Sequence, residues 1–162
     1  MTHLQTIFAP MVSYDPVDLD SANDLLTLWA HKMGPCKRGN AVSWCHALTH
    51  ERVPVAVTIT SSLIRETVGG APFLNRDNCI ELSRLCASRS GLCRVALRLW
   101  REFVFPALGY EYAISYQDAE AHNGNTYRFD GWKRVSRSRS GPDSRSGRIG
   151  RDKWVWLWEA KQ

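Results

Sequence analysis

Apolar residues recur along the chain at two spacings, and these divide it into short elements. From Asp18 to Met33, Leu25, Leu28 and Trp29 fall at helical spacing behind a candidate cap at Asp20 or Ser21, and Gly34-Pro35 ends the run. This predicts an amphipathic first helix. After a loop over Lys37–Asn40, the runs Ala41–Leu48 and Val53–Thr60 read as two strands of a hairpin around the turn Thr49–Arg52. Ser61–Asn78 holds Gly69, Gly70 and Pro72 and reads as irregular, with room for a helical turn in Ser61–Thr67.

The second half has a clearer order. Cys79–Ala87 sets Ile80 and Leu82 against the polar Glu81 and Ser83, the period of a strand. Ser88–Gly91 breaks it, and Leu92 to about Phe105 carries Val95, Ala96, Leu99, Trp100 and Phe103 near one helical face. Pro106 and Gly109 close that helix, and Glu111–Tyr116 has the apolar centre of a buried strand. A right-handed strand-helix-strand crossover is expected. A short helix over Asn123–Asp130, a strand from Trp132 and a last strand Lys153–Glu159 complete the chain, with Trp154, Trp156 and Trp158 on one face of the last strand and Val155 and Leu157 on the other.

The 162 residues, 44% of them hydrophobic, suit one globular domain spanning 1–162. No apolar run approaches the roughly 20 residues of a membrane span, and the N-terminus lacks a signal-peptide pattern, so a cytoplasmic protein is expected. The five cysteines contain no CxxC pair, and neither a disulfide framework nor a structural zinc is expected. Charge is uneven. Lys133–Lys153 holds eight basic residues and two acidic ones, whereas the remaining chain is nearly neutral. The Ser/Arg/Gly loop 136–152 is therefore a candidate anion-binding surface.

A strand that feeds a helix through a Ser/Gly loop aims unpaired amides and the helix dipole at an anion. Here the strand end Leu85, Cys86 and Ala87 leads into Ser88, Arg89, Ser90, Gly91, Leu92, Cys93 and Arg94. With this order of elements, the chain from about Asp18 onward resembles the GNAT N-acetyltransferase superfamily. The resemblance implies an α/β (α+β) fold: a single GNAT-like domain whose mixed central sheet has two splayed parallel strands, with helices on both faces. It also implies acetyl-CoA, or another acyl-CoA, lying in the gap with its pyrophosphate on Leu85–Arg94. The family's Q/R-x-x-G-x-G/A pattern is matched plainly only at Gly91, with Ser88 and Cys93 at the flanking motif positions. The run AHNGNTYRFDGWKRV resembles the family's closing motif and marks Tyr127 ahead of Gly131-Trp132.

Acyl transfer from a thioester to an amine requires a proton for the thiolate and a neutral nucleophile. Tyr127, a phenol protonated at neutral pH, is the candidate acid; its structural alternative is a packed tyrosine with a bonded hydroxyl. Glu81 points away from the face of Ile80 and Leu82 and is a candidate base, or a carboxylate paired with an arginine. His122 is a second candidate base, or a helix cap or exposed residue, and Asp118, just beyond a strand end where such sheets bind their ligands, is a catalytic candidate or a cap or turn residue. Trp44 and His46 share one side of their strand and are candidates for the acceptor side or the core.

A closer resemblance is to Mom-like phage DNA-modification proteins and related phage and prophage GNAT-like proteins. It is carried by ELSRLC, by SYQDAEAHNGNTYRFDGW with Ser115, Tyr116, Asp118, His122, Gly124 and Tyr127, and by the ending WEA. It implies acylation of an amino group in phage DNA within a bacterial host, with Arg134, Arg137, Arg139, Arg145, Arg148 and Arg151 on the phosphates. A small-molecule or protein amine as acceptor, and a non-catalytic DNA-binding module on the same scaffold, stay open as alternatives.

Overall fold

The computed structural model describes residues 11–38, 42–139 and 150–161. Among these residues, seven strands form one mixed sheet in the order β1-β2-β3-β6-β7-β9-β8. In chain order they are β1 (Val12–Val17), β2 (Ser43–His50), β3 (Val53–Ser62), β6 (Cys79–Ala87), β7 (Tyr112–Asp118), β8 (Lys133–Ser138) and β9 (Lys153–Glu159). The small strands β4 (Thr67–Val68) and β5 (Ala71–Asn75) pair with each other in a separate hairpin. All pairings are antiparallel except β6 with β7.

Helices cover both faces. Helix α1 (Leu19–Leu28) buries Ala22 and Leu26 against Cys45, Val57, Ile59 and Cys86. On the opposite face, α2 (Leu92–Leu99) buries Ala96 against Leu48 and Ala56, while its Leu97 and Tyr127 of α4 (Asn125–Asp130) pack among Ile80, Leu82, Ala113, Trp132 and Trp156. The alternation in β9 acts as its sequence indicates. Trp156 packs with Tyr127, while Val155 and Leu157 face Cys79 and Ile114 on the other side.

Helix α2 runs into a π-helical turn (Trp100–Val104) and a last α-helical turn, α3 (Phe105–Leu108). Pro106 accounts for the widening: it lacks an N–H, and its ring would meet the carbonyl four residues back in a regular helix. The Phe105 amide instead reaches the Trp100 carbonyl.

Several local expectations change, among them the loop read over 136–152, whose first residues, Ser136–Ser138, instead extend β8. Helix α1 stops at Leu28, well before Gly34, and is capped by Asp18, whose carboxylate accepts from the Ser21 amide at 2.7 Å. Ala30 adopts φ +51°, and His31 donates its amide to the Leu26 carbonyl, a helix-ending turn that usually contains glycine. Ser61–Glu66 is the end of β3 and a loop instead of a helical turn, Thr67 begins β4, and Ala71–Asn75 is extended. The first strand, β1, lies along β2 with Tyr14 opposite Leu48.

Gly124 is where the fold requires glycine most strictly. Its φ is +76°, and a Cβ there would lie 2.5 Å from the Trp156 ring and 2.6 Å from Gln117 Oε1. Gly34, at φ +64°, has open space where its Cβ would be. Gly124→Ala is expected to cost about 2–4 kcal/mol from overpacking and left-handed strain together. Gly34→Ala is expected to cost about 1 kcal/mol, from conformation alone. Urea unfolding midpoints of the two variants check this difference.

Candidate active site between the splayed strands

Strands β6 and β7 pair in parallel at three positions, Cys79 with Tyr112, Ile80 with Ala113 and Glu81 with Ile114, and then part. The cause lies on the other edge of β6. Between Ile59 and Thr60 of β3 the register skips Ser83, so two β6 residues oppose one, which is a β-bulge and bends the bulged strand. The Ser83 hydroxyl donates to the Ile59 carbonyl at 2.9 Å and lies 3.0 Å from the Ser61 hydroxyl, which fixes the bulge.

Parting strands strand their own backbone polar groups, and here side chains take over. Ser115 Oγ donates to the Leu82 carbonyl at 3.0 Å. Its single proton is thereby used, so the Tyr127 hydroxyl, 2.8 Å away, donates to Ser115. Tyr127 is stacked on Trp156 with ring centroids 5.7 Å apart and meets Trp132 edge-on. Burial pushes its phenol up to about 12, while the bond to Ser115 pulls the other way. The hydroxyl is protonated throughout the neutral range.

The opening is a crevice of about 180 Å³ lined by Leu82, Leu85, Cys93, Ser115, Gln117 and Tyr127, among others. Beyond the end of β6, Ser88, Arg89, Ser90 and Gly91 are exposed. Gly91 precedes α2 at φ +89° with no side-chain cap, which leaves the first amides of that helix directed outward. Leu92 and Cys93 are half-buried and Arg94 lies over the Phe129 ring, whereas Cys86 faces α1 and is turned away from the crevice.

Glu81 points to the face opposite Ile80 and Leu82, as its alternation requires, but it is not a free carboxylate. Arg38 grips both oxygens, at 2.6 and 2.9 Å, in a largely buried ion pair. Asp118 accepts the amides of Glu120 and Ala121 at 2.9 Å and pairs with Arg151 at 3.3 Å. Burial acts to raise its pKa, but these bonds outweigh it and the net shift is downward. It is a turn-capping carboxylate at the crevice rim. His122 is exposed at the same rim, and its carbonyl accepts from the Gln117 side chain.

Trp44 packs against the core, and His46 lies against the Tyr14 ring, away from the crevice. Of the basic-segment arginines, Arg134 and Arg137 stand over the Trp154 ring, and Arg137 also pairs with Asp152 at 2.8 Å. Arg139 borders a second, larger cavity beside the crevice. Arg145 and Arg148 lie outside the described residues.

Several site residues carry no sequence signal. His31 lines the crevice, and burial, then Arg84 and His122, push its imidazole down to about 4, so it is neutral near pH 7. Arg38 reaches Glu81 from 43 residues away. Ser115 is an ordinary strand serine until its bonds to Tyr127 and Leu82 are seen.

No family model and no curated protein sequence matches the chain. Solved structures do. The ribosomal-protein-S18-alanine N-acetyltransferase from Escherichia coli superposes with a TM-score of 0.64 over 94% of this chain and 96% of its own, at 13% identity. An IAA acetyltransferase from Bacillus cereus gives 0.65 over 92% and 99%, at 12% identity. An N-acetyltransferase from Staphylococcus aureus gives 0.65 over 93% and 98%, at 7% identity. With the strand order, the single forked parallel pair and the helices on both faces, these likenesses show that the chain has the GNAT acetyltransferase fold.

Proposed function

We propose that this protein is an acyl-CoA-dependent N-acyltransferase. The fork between β6 and β7, with the uncapped start of α2 beyond it, is the observation that supports this most. An acyl-CoA supplies an activated acyl carbon and a thiol leaving group. Past Leu82 the facing edges of β6 and β7 have no strand partner, so their backbone groups are available to the amides of a pantetheine arm. The helix start, with Arg89 and Arg94 near it, suits the pyrophosphate. Cys93, where the family pattern has a small residue, narrows the crevice.

The amine nitrogen bonds to the acyl carbon as the carbon–sulfur bond breaks, the nitrogen gives up a proton, and the sulfur takes one from Tyr127. A phenol at about 12 is a weak acid by itself. The same burial also destabilises a departing thiolate, so donor and acceptor shift together and the transfer stays matched. His122, at the rim, is the group placed to take the amine's proton. Glu81, neutralised by Arg38 on both oxygens, fixes that guanidinium at the acceptor side.

The acceptor we assign is an amino group of a DNA base, on the strength of the Mom-like sequence run and of the basic residues beside the crevice. Such an amine lies inside the duplex stack, so it must be unpaired or extruded to react. A small-molecule or protein amine would need no such basic surroundings.

Two outcomes are expected. Tyr127→Phe lowers the turnover rate by about 10²-fold or more and leaves acetyl-CoA affinity little changed, as isothermal titration and single-turnover assays can show. Nucleosides from DNA of cells expressing the wild type carry an added acyl mass that is lost in Tyr127→Phe, and single-strand affinity falls with log salt at a slope of about −0.7 per phosphate contacted. Unmodified DNA together with salt-insensitive turnover of a small amine would transfer the assignment to that amine. No acetyl-CoA binding at millimolar concentration would leave only a non-catalytic module.

A further inference from the structure

Beside the crevice lies a cavity of about 820 Å³, within the range of small-molecule sites. Met33, Ser83, Arg84 and Tyr116 line both, so the two spaces adjoin along the β6 bulge. The larger one is bordered by Lys37, Arg38, Arg65, Arg84, Arg139 and Lys153, and by one carboxylate, Glu81. Arg38 and Glu81 neutralise each other. The other five cations have no ion pair among the described residues.

Two of these five are built into the wall. Arg84 is only 9% exposed, and its guanidinium donates to the carbonyls of Ser83, Gly34 and Pro35 at 2.8, 3.1 and 3.5 Å. Carbonyls orient a guanidinium but do not cancel its charge, so among the described residues its charge has no ion-pair partner beneath the cavity floor. Lys153, at the start of β9, is half-buried. Its ammonium is pressed below its ordinary value by burial first, with Arg84 and Arg38 adding to this against the pull of Glu81 and Asp118. Arg84 and Lys153 border the same cavity, and an anion between them would relieve both.

We infer that this cavity recognises a phosphate group on the acceptor, with Arg84 and Lys153 as its specificity-determining pair. The inference rests on the acyl-transfer assignment only in calling the phosphate-bearing molecule the acceptor. An excess of five cations favours a doubly charged phosphate over a single carboxylate. The phosphate would sit on the Glu81 side of the sheet, leaving the amine to enter the crevice past Ser83 and Tyr116. Its source is either a free nucleotide or a nucleic-acid strand, and both offer the same group.

The test is calorimetric titration of inorganic phosphate, dAMP, deoxyadenosine and acetate into protein saturated with CoA, so that the helix start is already filled. Phosphate and dAMP are expected to bind, and deoxyadenosine and acetate to bind at least tenfold more weakly. Lys153→Gln should weaken phosphate binding at least tenfold while CoA affinity stays within twofold, and Arg84→Gln should weaken phosphate binding at least tenfold. Arg98→Gln, which removes an exposed charge on α2, should leave phosphate binding unchanged. Because Arg84 also holds the loop carbonyls, Lys153→Gln is the decisive variant. Replacing dAMP by a short single-stranded oligonucleotide identifies the source: much tighter binding of the strand points to nucleic acid, and equal binding to a free nucleotide. Phosphate binding that is absent, that Lys153→Gln does not change, or that acetate matches would overturn the inference. Should CoA itself fail to bind, the acyl-transfer assignment fails alone, and the same titrations on the coenzyme-free protein still decide whether the cavity holds phosphate.

Discussion

Two parallel strands that begin paired and then separate must find new partners for the backbone groups they expose, and this requirement organises the centre of the molecule. The bulge at Ser83 bends β6 away. At the point of parting, the Leu82 carbonyl takes the Ser115 hydroxyl, and Ser115 takes that of Tyr127. The phenol proposed to protonate the leaving thiolate is thus also the last link in a chain that satisfies the fork. Polar chains of this kind in a dry interior hold geometry firmly, since each member is costly to leave unpaired.

Around the fork, the two faces of the sheet differ in character. The α2 and α4 side is aromatic: Trp100, Trp132, Trp156 and Tyr127 stack or meet edge-on, and the Trp156 indole donates to Gln117, which in turn steadies the segment leading to Gly124. The α1 side is polar and cationic near the same strands, with Glu81 and Arg84 packed beneath the loop that follows α1 and carries Arg38. An apolar channel on one face and a charged basin on the other meet where β6 bends. That arrangement suits a reaction whose two substrates differ in polarity.

Much of this was legible in the sequence. The alternation in Cys79–Ala87 and Lys153–Glu159, the glycine-serine break and the long helix after it were enough to order the elements from β6 to β9. Tyr127 stood out through the Gly-Trp step that follows its helix. What escaped was set by contacts between distant segments. The end of α1 at Ala30 uses a left-handed alanine where glycine is the usual marker. β1 and β5 are held by pairing with neighbours more than by apolar alternation of their own, with Pro16 and Pro72 inside them. The pairing of Arg38 with Glu81 could not be told from spacing, because a loop residue has no periodicity to betray its partner.

Cys93 carries one further consequence. A thiolate in the crevice proposed here to hold a thioester would exchange with it and capture the acyl group on the protein. Burial, reinforced by Cys86, pushes the Cys93 thiol up to about 11. At pH 7 that leaves about one part in ten thousand in the nucleophilic form. The sulfur can therefore line the crevice with little thiolate character, its reactivity suppressed by the dryness of the same wall that shapes the channel.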